Sequence, residues 1–185
     1  MYGMVNQALE NMVREAHGEA VWLEIKAAAG VDVEMFLSTE AYPDSLTYDL
    51  VGAACKVLNS PAEPLLGAFG RYWVLNTARK GYGDMMRAAG RNLKEFLFHL
   101  PDFHSRIALI FPHLVPPHFA CSDIQEYSLH LHYRSHRAGL EPFVVGLIEG
   151  LGEMYSTPVT IEALGPATPA DRQSFLVTWA NPAAE

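Results

Sequence analysis

Through the N-terminal half of the chain, apolar and polar positions recur with the period of an amphipathic helix. Val5, Leu9, Met12, Val13 and Ala16 share one side of a helix over residues 3–16, with Asn6, Glu10 and Arg14 elsewhere around it. The same spacing predicts helices over 19–29, over 46–58 with Ser45 as cap, over 62–78 after Pro61, and over 83–88 and 93–98. Pro101 suits the first turn of another helix running to about residue 111, since a missing N–H there costs no intrahelical bond. Pro112, Pro116 and Pro117 then block any helix and predict a rigid connector.

Beyond the connector the period shortens. Tyr127, Leu129, Leu131 and Tyr133 alternate with Ser128, His130, His132 and Arg134, as in a strand with one buried face. A helix is predicted over 143–154, with Pro142 near its first turn, and strands over 159–164 and 174–179 around a turn-rich 165–171. Helices first, then strands around one helix, predict an α+β fold with an antiparallel sheet. No repeat divides the chain, so the change near Pro116 separates subdomains of one domain over 1–185.

Composition narrows the function classes. With 50% hydrophobic residues in 185, the chain can bury one substantial core, and part of the apolar excess is expected to line a ligand cavity. Thirteen basic against 21 acidic residues give a net charge of −8, which argues against nucleic acid or anionic lipid as partners. Cys55 and Cys121 are too few for a disulfide framework, no C-x-x-C-H motif offers covalent haem attachment, and a reducing cytoplasm is expected. Charges in the first turns are unlike a signal peptide, and no uncharged run is long enough to cross a bilayer, so no membrane insertion is expected. No nucleotide-binding loop or nucleophile–base set is visible, so the chain is not expected to be an enzyme.

Two features carry chemistry. On the helix begun by Pro101, the residues stacked with His104 are Leu100, Ile107, Ala108 and Phe111, so the imidazole is expected to point inward. Alone, it reads equally as a core histidine bonded to a carbonyl. Along an extended strand Tyr133, Ser135 and Arg137 would share a face, where a guanidinium fork and two hydroxyls suit carboxylates. Alone, that is a solvated strand end. Together they supply what haem needs: a neutral imidazole for iron, an apolar slot, and a polar edge for the propionates.

Ordered motifs extend the pattern: AFGRYWV at 68–74, LPDFHSRI at 100–107, FPHLVPPHF at 111–119, LHYRSHRAGL at 131–140 and GLIEG at 146–150. From Met1 to about Trp179 the chain resembles the haem nitric oxide/oxygen binding (H-NOX) domains of bacterial gas sensors and soluble guanylate cyclases. The resemblance implies a distal helical subdomain over 1–60, a haem-anchoring subdomain over 61–185, and non-covalent haem b. His104 would be the proximal iron ligand, and Tyr133, Ser135 and Arg137 would hold the propionates. Pro117 and Val5 would press on the macrocycle, Val5 being smaller than the isoleucine often found there, and Trp73, Phe143 and Leu147 would complete the cofactor-binding set.

Oxygen-binding relatives carry a distal tyrosine on the helix after this strand, where residues 140–144 here read Leu-Glu-Pro-Phe-Val. Phe143 is the counterpart, or Pro142 if the length difference falls otherwise. Trp73 stands where oxygen-binding relatives place a polar residue that supports the tyrosine. The expectation is a sensor that binds nitric oxide in preference to oxygen, with carbon monoxide as a further ligand. It would release His104 on binding and signal to a histidine kinase or a cyclic-dinucleotide enzyme. Gly70 and Gly146 are candidate hinges or close-packing positions. An oxygen-binding haem sensor, or a non-haem metal enzyme using His130, His132 and His136, are the alternatives.

Overall fold

The helical stripes fold as α1 (Gly3–His17), α2 (Glu19–Ala29), α3 (Asp44–Val57) and α4 (Ala62–Tyr72) in the computed structural model, which describes residues 1–180. Residues 181–185, the end of the expected 1–185 unit, lie outside the described residues. Leu9, Val13, Trp22, Ile25, Leu50 and Phe69 meet in one buried cluster between these helices. Burying each large apolar side chain stabilises the fold by about 1.5–3 kcal/mol before entropy is counted. Among the described residues no helix is long and apolar enough to cross a membrane.

Two helix starts depart from expectation. Helix α3 begins at Asp44, after Pro43 and with no side-chain cap, so Ser45 lies inside the helix instead of capping it. An acidic residue in the first turn is favoured by the helix dipole, and Asp44 takes that place. No gap separates residues 78 and 83: α4 runs into a π-helical stretch, Trp73–Ala78, and on into α5 (Arg79–Ala89). Gly81 and Gly83 cost about 1 kcal/mol each in a helix interior, too little to end a helix whose Ala78 and Met86 are buried. In an α-helix residues five apart diverge around the axis; the wider π turn brings Trp73 and Ala78 toward one side.

Short helix α6 (Leu93–Phe98), capped by the Asn92 side chain, and α7 (Leu100–Ile110), with Pro101 in its first turn, follow as the sequence predicts. The sheet has the order β1-β2-β4-β3, all antiparallel, from β1 (His118–Ser122), β2 (Ser128–Arg134), β3 (Val159–Gly165) and β4 (Gln173–Trp179). Strand β1 is absent from the sequence reading because five residues after two prolines, interrupted by Ala120, give no alternation to register.

Helix α8 (Glu141–Met154) lies between α4 and the sheet, and Leu129, Leu131, Ile148, Phe175 and Val177 form the second core. Its crossing with α4 is so close that a Cβ on Gly146 would run into the Gly67 backbone, and one on Gly70 into the Phe143 carbonyl. Both glycines therefore serve close packing.

Candidate functional site

A cavity of about 230 Å³ is walled by residues of both cores and of a smaller buried cluster around Tyr2, Ile107 and Phe111. Its wall includes all nine residues singled out from the sequence: Val5, Trp73, His104, Pro117, Tyr133, Ser135, Arg137, Phe143 and Leu147. Pro142 is not on that wall; at this turn of α8 Phe143 and Val144 face the space. Phe143 also packs its ring on Phe69, with centroids 5.0 Å apart.

Helix α7 presents His104. Part of the ring borders the cavity, while Nδ1 is sealed from solvent with no hydrogen-bond partner. Burial drives the imidazole down to about 4 from its ordinary 6.5, so the ring is neutral at neutral pH; the nearby Pro117 carbonyl opposes that fall without making a hydrogen bond of normal geometry. A buried polar atom left unpaired costs about 1–3 kcal/mol. A metal on one ring nitrogen, with a backbone carbonyl taking the proton of the other, removes that cost, and metal-bound histidines are commonly held this way. The orphaned nitrogen and the apolar space beside it therefore fit a haem iron. Phe119 of β1 lies between the functional rings, 5.6 Å from His104 and 5.4 Å from Tyr133.

At the polar edge the strand ends sooner than the sequence implied. β2 stops at Arg134, so Ser135 and Arg137 sit on a bent segment in which the Arg137 backbone N–H donates to Ser135 Oγ at 3.1 Å. Gly139, at φ +75°, turns the chain toward α8. Tyr133, buried on β2, still shares the cavity with both residues.

Arg137 already grips a carboxylate here. Its Nε donates to Asp44 Oδ2 at 2.8 Å, Nη2 to Asp44 Oδ1 at 3.3 Å, and Nη1 to the Val115 carbonyl at 3.0 Å. The same carboxylate accepts from the Met1 ammonium at 2.6 Å, and His136 Nε2 stands 3.5 Å away. Burial alone would raise the Asp44 carboxyl, but the Met1 ammonium and Arg137 overcome it and bring it to about 2, against an ordinary 3.8. A carboxyl depressed on folding adds stability above its unfolded value and loses it as pH falls through the folded one, here between about 4 and about 2. Asp44→Asn is expected to flatten the acid limb of the stability curve in that window by about 1 kcal/mol, a figure reduced for partial solvent exposure. Urea unfolding at stepped pH reads it, and identical slopes for both proteins would contradict it.

Asp44 and Phe119 are among the site residues that the sequence does not point to, as are Tyr82 and Phe103 on the cavity wall. Asp44 carried one signal, an acidic side chain directly after a proline at a helix start. Phe119 carried no such signal, because Ala120 interrupts any alternation of polar and apolar residues in His118–Ser122.

The histidines of the non-haem alternative are spread apart. His130 Nδ1 pairs with Asp123 at 3.0 Å, the His132 ring lies between the Ser122 and Ser174 hydroxyls at 2.8 Å each, and His136 faces Asp44. Among the described residues no three metal-ligating side chains gather.

An α+β domain that sets a neutral imidazole and a carboxylate-binding edge on one apolar cavity has what a haem-binding domain requires. Residues 2–163 match the haem-NO-binding family, and the chain belongs to it. Soluble guanylate cyclase gcy-31 of Caenorhabditis elegans is 30% identical over 165 residues, covering 89% of this chain and 24% of its own length. Soluble guanylate cyclase gcy-33 of the same organism is 29% identical, covering 89% and 18%. The chain thus spans a quarter or less of these relatives. Two solved structures share the fold: an H-NOX protein from S. oneidensis in the Fe(II)NO state (TM-score 0.86, 21% identity, 98% of this chain and 100% of that one) and the Fe(II) unliganded H-NOX protein from K. algicida (TM-score 0.86, 17% identity, 100% of each).

Proposed function

We propose that this chain binds haem b without a covalent link and senses nitric oxide on behalf of a partner protein. The observation that carries the reading is the single cavity wall shared by His104, the Tyr133–Ser135–Arg137 edge and the apolar residues between them. Haem b, when bound, supplies a ferrous iron able to take up diatomic gases, carbon monoxide included. His104 would hold that iron, Tyr133, Ser135 and Arg137 the propionates, and Val5 and Pro117 would bear on the macrocycle. Trp73, Phe143 and Leu147 would line the gas side.

Selectivity follows from donors. Bound oxygen gains from a buried hydroxyl, whereas nitric oxide depends much less on such help, and Phe143 has no hydroxyl to offer. An oxygen-sensing reading would rest on the other donors of the wall, the indole N–H of Trp73 beside Phe143 or the hydroxyls of Tyr2, Tyr82 and Tyr133. The ferrous, haem-loaded protein is expected to give a stable nitric oxide spectrum and no stable oxygen complex in air. A persistent oxy spectrum would refute the selectivity, and absence of a Soret band after haem addition would refute the function.

For output, His104 would let go of the metal once nitric oxide binds, freeing α7. The Asp44–Arg137 pair links α3, within the proposed distal subdomain (1–60), to the polar edge of the haem-anchoring subdomain (61–185), so relative movement would pull on it. The receiving activity would belong to a histidine kinase, a cyclic-dinucleotide enzyme, or a cyclase like those of the relatives, in the cytoplasm. Pull-down and activity assays with the haem-loaded chain, with and without nitric oxide, test the choice.

A further inference from the structure

The backbone that presents Ser135 and Arg137 has lost its sheet partners. β2 ends at Arg134 and its last pairing with β4 is Tyr133 with Gln173. The carbonyls that follow need other donors if the segment is to keep one shape. Arg172, in the turn before β4, supplies them: its Nε donates to the Ser135 carbonyl at 2.9 Å, its Nη2 reaches the His136 carbonyl at 3.4 Å, and its backbone N–H donates to the Tyr133 carbonyl at 2.8 Å.

The turn that carries Arg172 is itself fixed. Asp171 accepts from the Thr168 backbone at 2.9 Å and from its hydroxyl at 2.7 Å, and it pairs with Arg134 at 3.0 Å on the other side of the strand end. The charge of Arg172 also reaches the Tyr133 phenol, where burial raises the group and the neighbouring arginines and the Ser135 hydroxyl oppose it.

We propose that Arg172 is a positioning residue for the carboxylate-binding edge, holding residues 135 and 136 so that Ser135 and Arg137 meet the propionates; this rests on the haem reading above. A planar fork can serve two carbonyls at once, which a lysine ammonium on a flexible stem does poorly.

The test is the rate at which the haem-loaded full chain surrenders its cofactor to excess apomyoglobin, for wild type, Arg172→Ala, Arg172→Gln and Arg172→Lys. Haem b and haem dimethyl ester, which has no free carboxylates, are compared side by side. Arg172→Ala and Arg172→Gln are expected to lose haem b about tenfold faster than wild type, the effect of misaligning one charge-assisted hydrogen bond, with Arg172→Lys in between. With the dimethyl ester all four are expected to match. Unchanged haem b loss in the variants would overturn the proposal, as would equal acceleration for both cofactors, which marks a general loosening. A wild-type chain that takes up no haem would remove the proposed function and this role with it, a result distinct from either.

Discussion

Replacing His104 with glycine is expected to speed haem loss by at least about 100-fold, the size of effect that partners behind a metal ligand produce by themselves. Millimolar imidazole should restore the Soret band by entering the space left beside Phe103 and Phe119, whose rings flank the His104 ring at 6.0 and 5.6 Å. The restored haem would no longer be tied to α7, so nitric oxide should bind without changing partner activity. A companion variant separates ligand from filler. His104→Leu exchanges a sealed nitrogen with no partner for an apolar side chain, and the cofactor-free protein should gain about 1–2 kcal/mol in urea unfolding while haem uptake is lost. A structural core histidine would behave oppositely, its loss destabilising the empty protein and sparing haem. Wild-type haem retention in both variants would eliminate the proposed ligand.

Local pattern made part of this site legible and distance along the chain hid the rest. His104 could be placed because its neighbours at helical spacing are apolar, and Tyr133 because alternation along β2 assigns it a face. Both are facts about one element. Arg137 is different: the expected strand face does not extend past Arg134, and what fixes the guanidinium is Asp44, ninety-three residues away on α3. Arg172 is invisible for the same reason, since its partners are carbonyls thirty-six and thirty-seven residues upstream, and a carbonyl leaves no mark in composition. Trp73 was found by resemblance, but its setting in a π turn was not. Every side chain from Trp73 to Ala78 is compatible with an ordinary α-helix, and the wider turn is seen only in the backbone.

The α4–α8 crossing fixes where Phe143 and Leu147 stand, so it sets both the stability of the domain and the shape of one cavity wall. Gly146→Ala is expected to destabilise the protein by about 2 kcal/mol, although alanine is the better helix former by about 1 kcal/mol. The clash wins because the added methyl meets the carbonyl oxygen, carbonyl carbon and Cα of Gly67, which is backbone in the middle of α4 and has no rotamer to change. The helices must part, and the contacts along both cores loosen with them. Gly52→Ala is the control: on α3 a new Cβ meets no atom outside its own helix within 4 Å, so propensity acts alone and should add about 0.5–1 kcal/mol. For a domain of this size the pair should appear as a fall in Tm of about 4–8 °C for Gly146→Ala and a rise of about 1–4 °C for Gly52→Ala. In the haem-loaded protein only the first should also alter the nitric oxide off-rate, because Phe143 and Leu147 flank residue 146 on the cavity side of α8. If Gly146→Ala melts at or above the wild-type temperature, α4 and α8 do not cross as closely as this geometry requires, and the position of the Phe143 ring in the cavity wall is wrong with it.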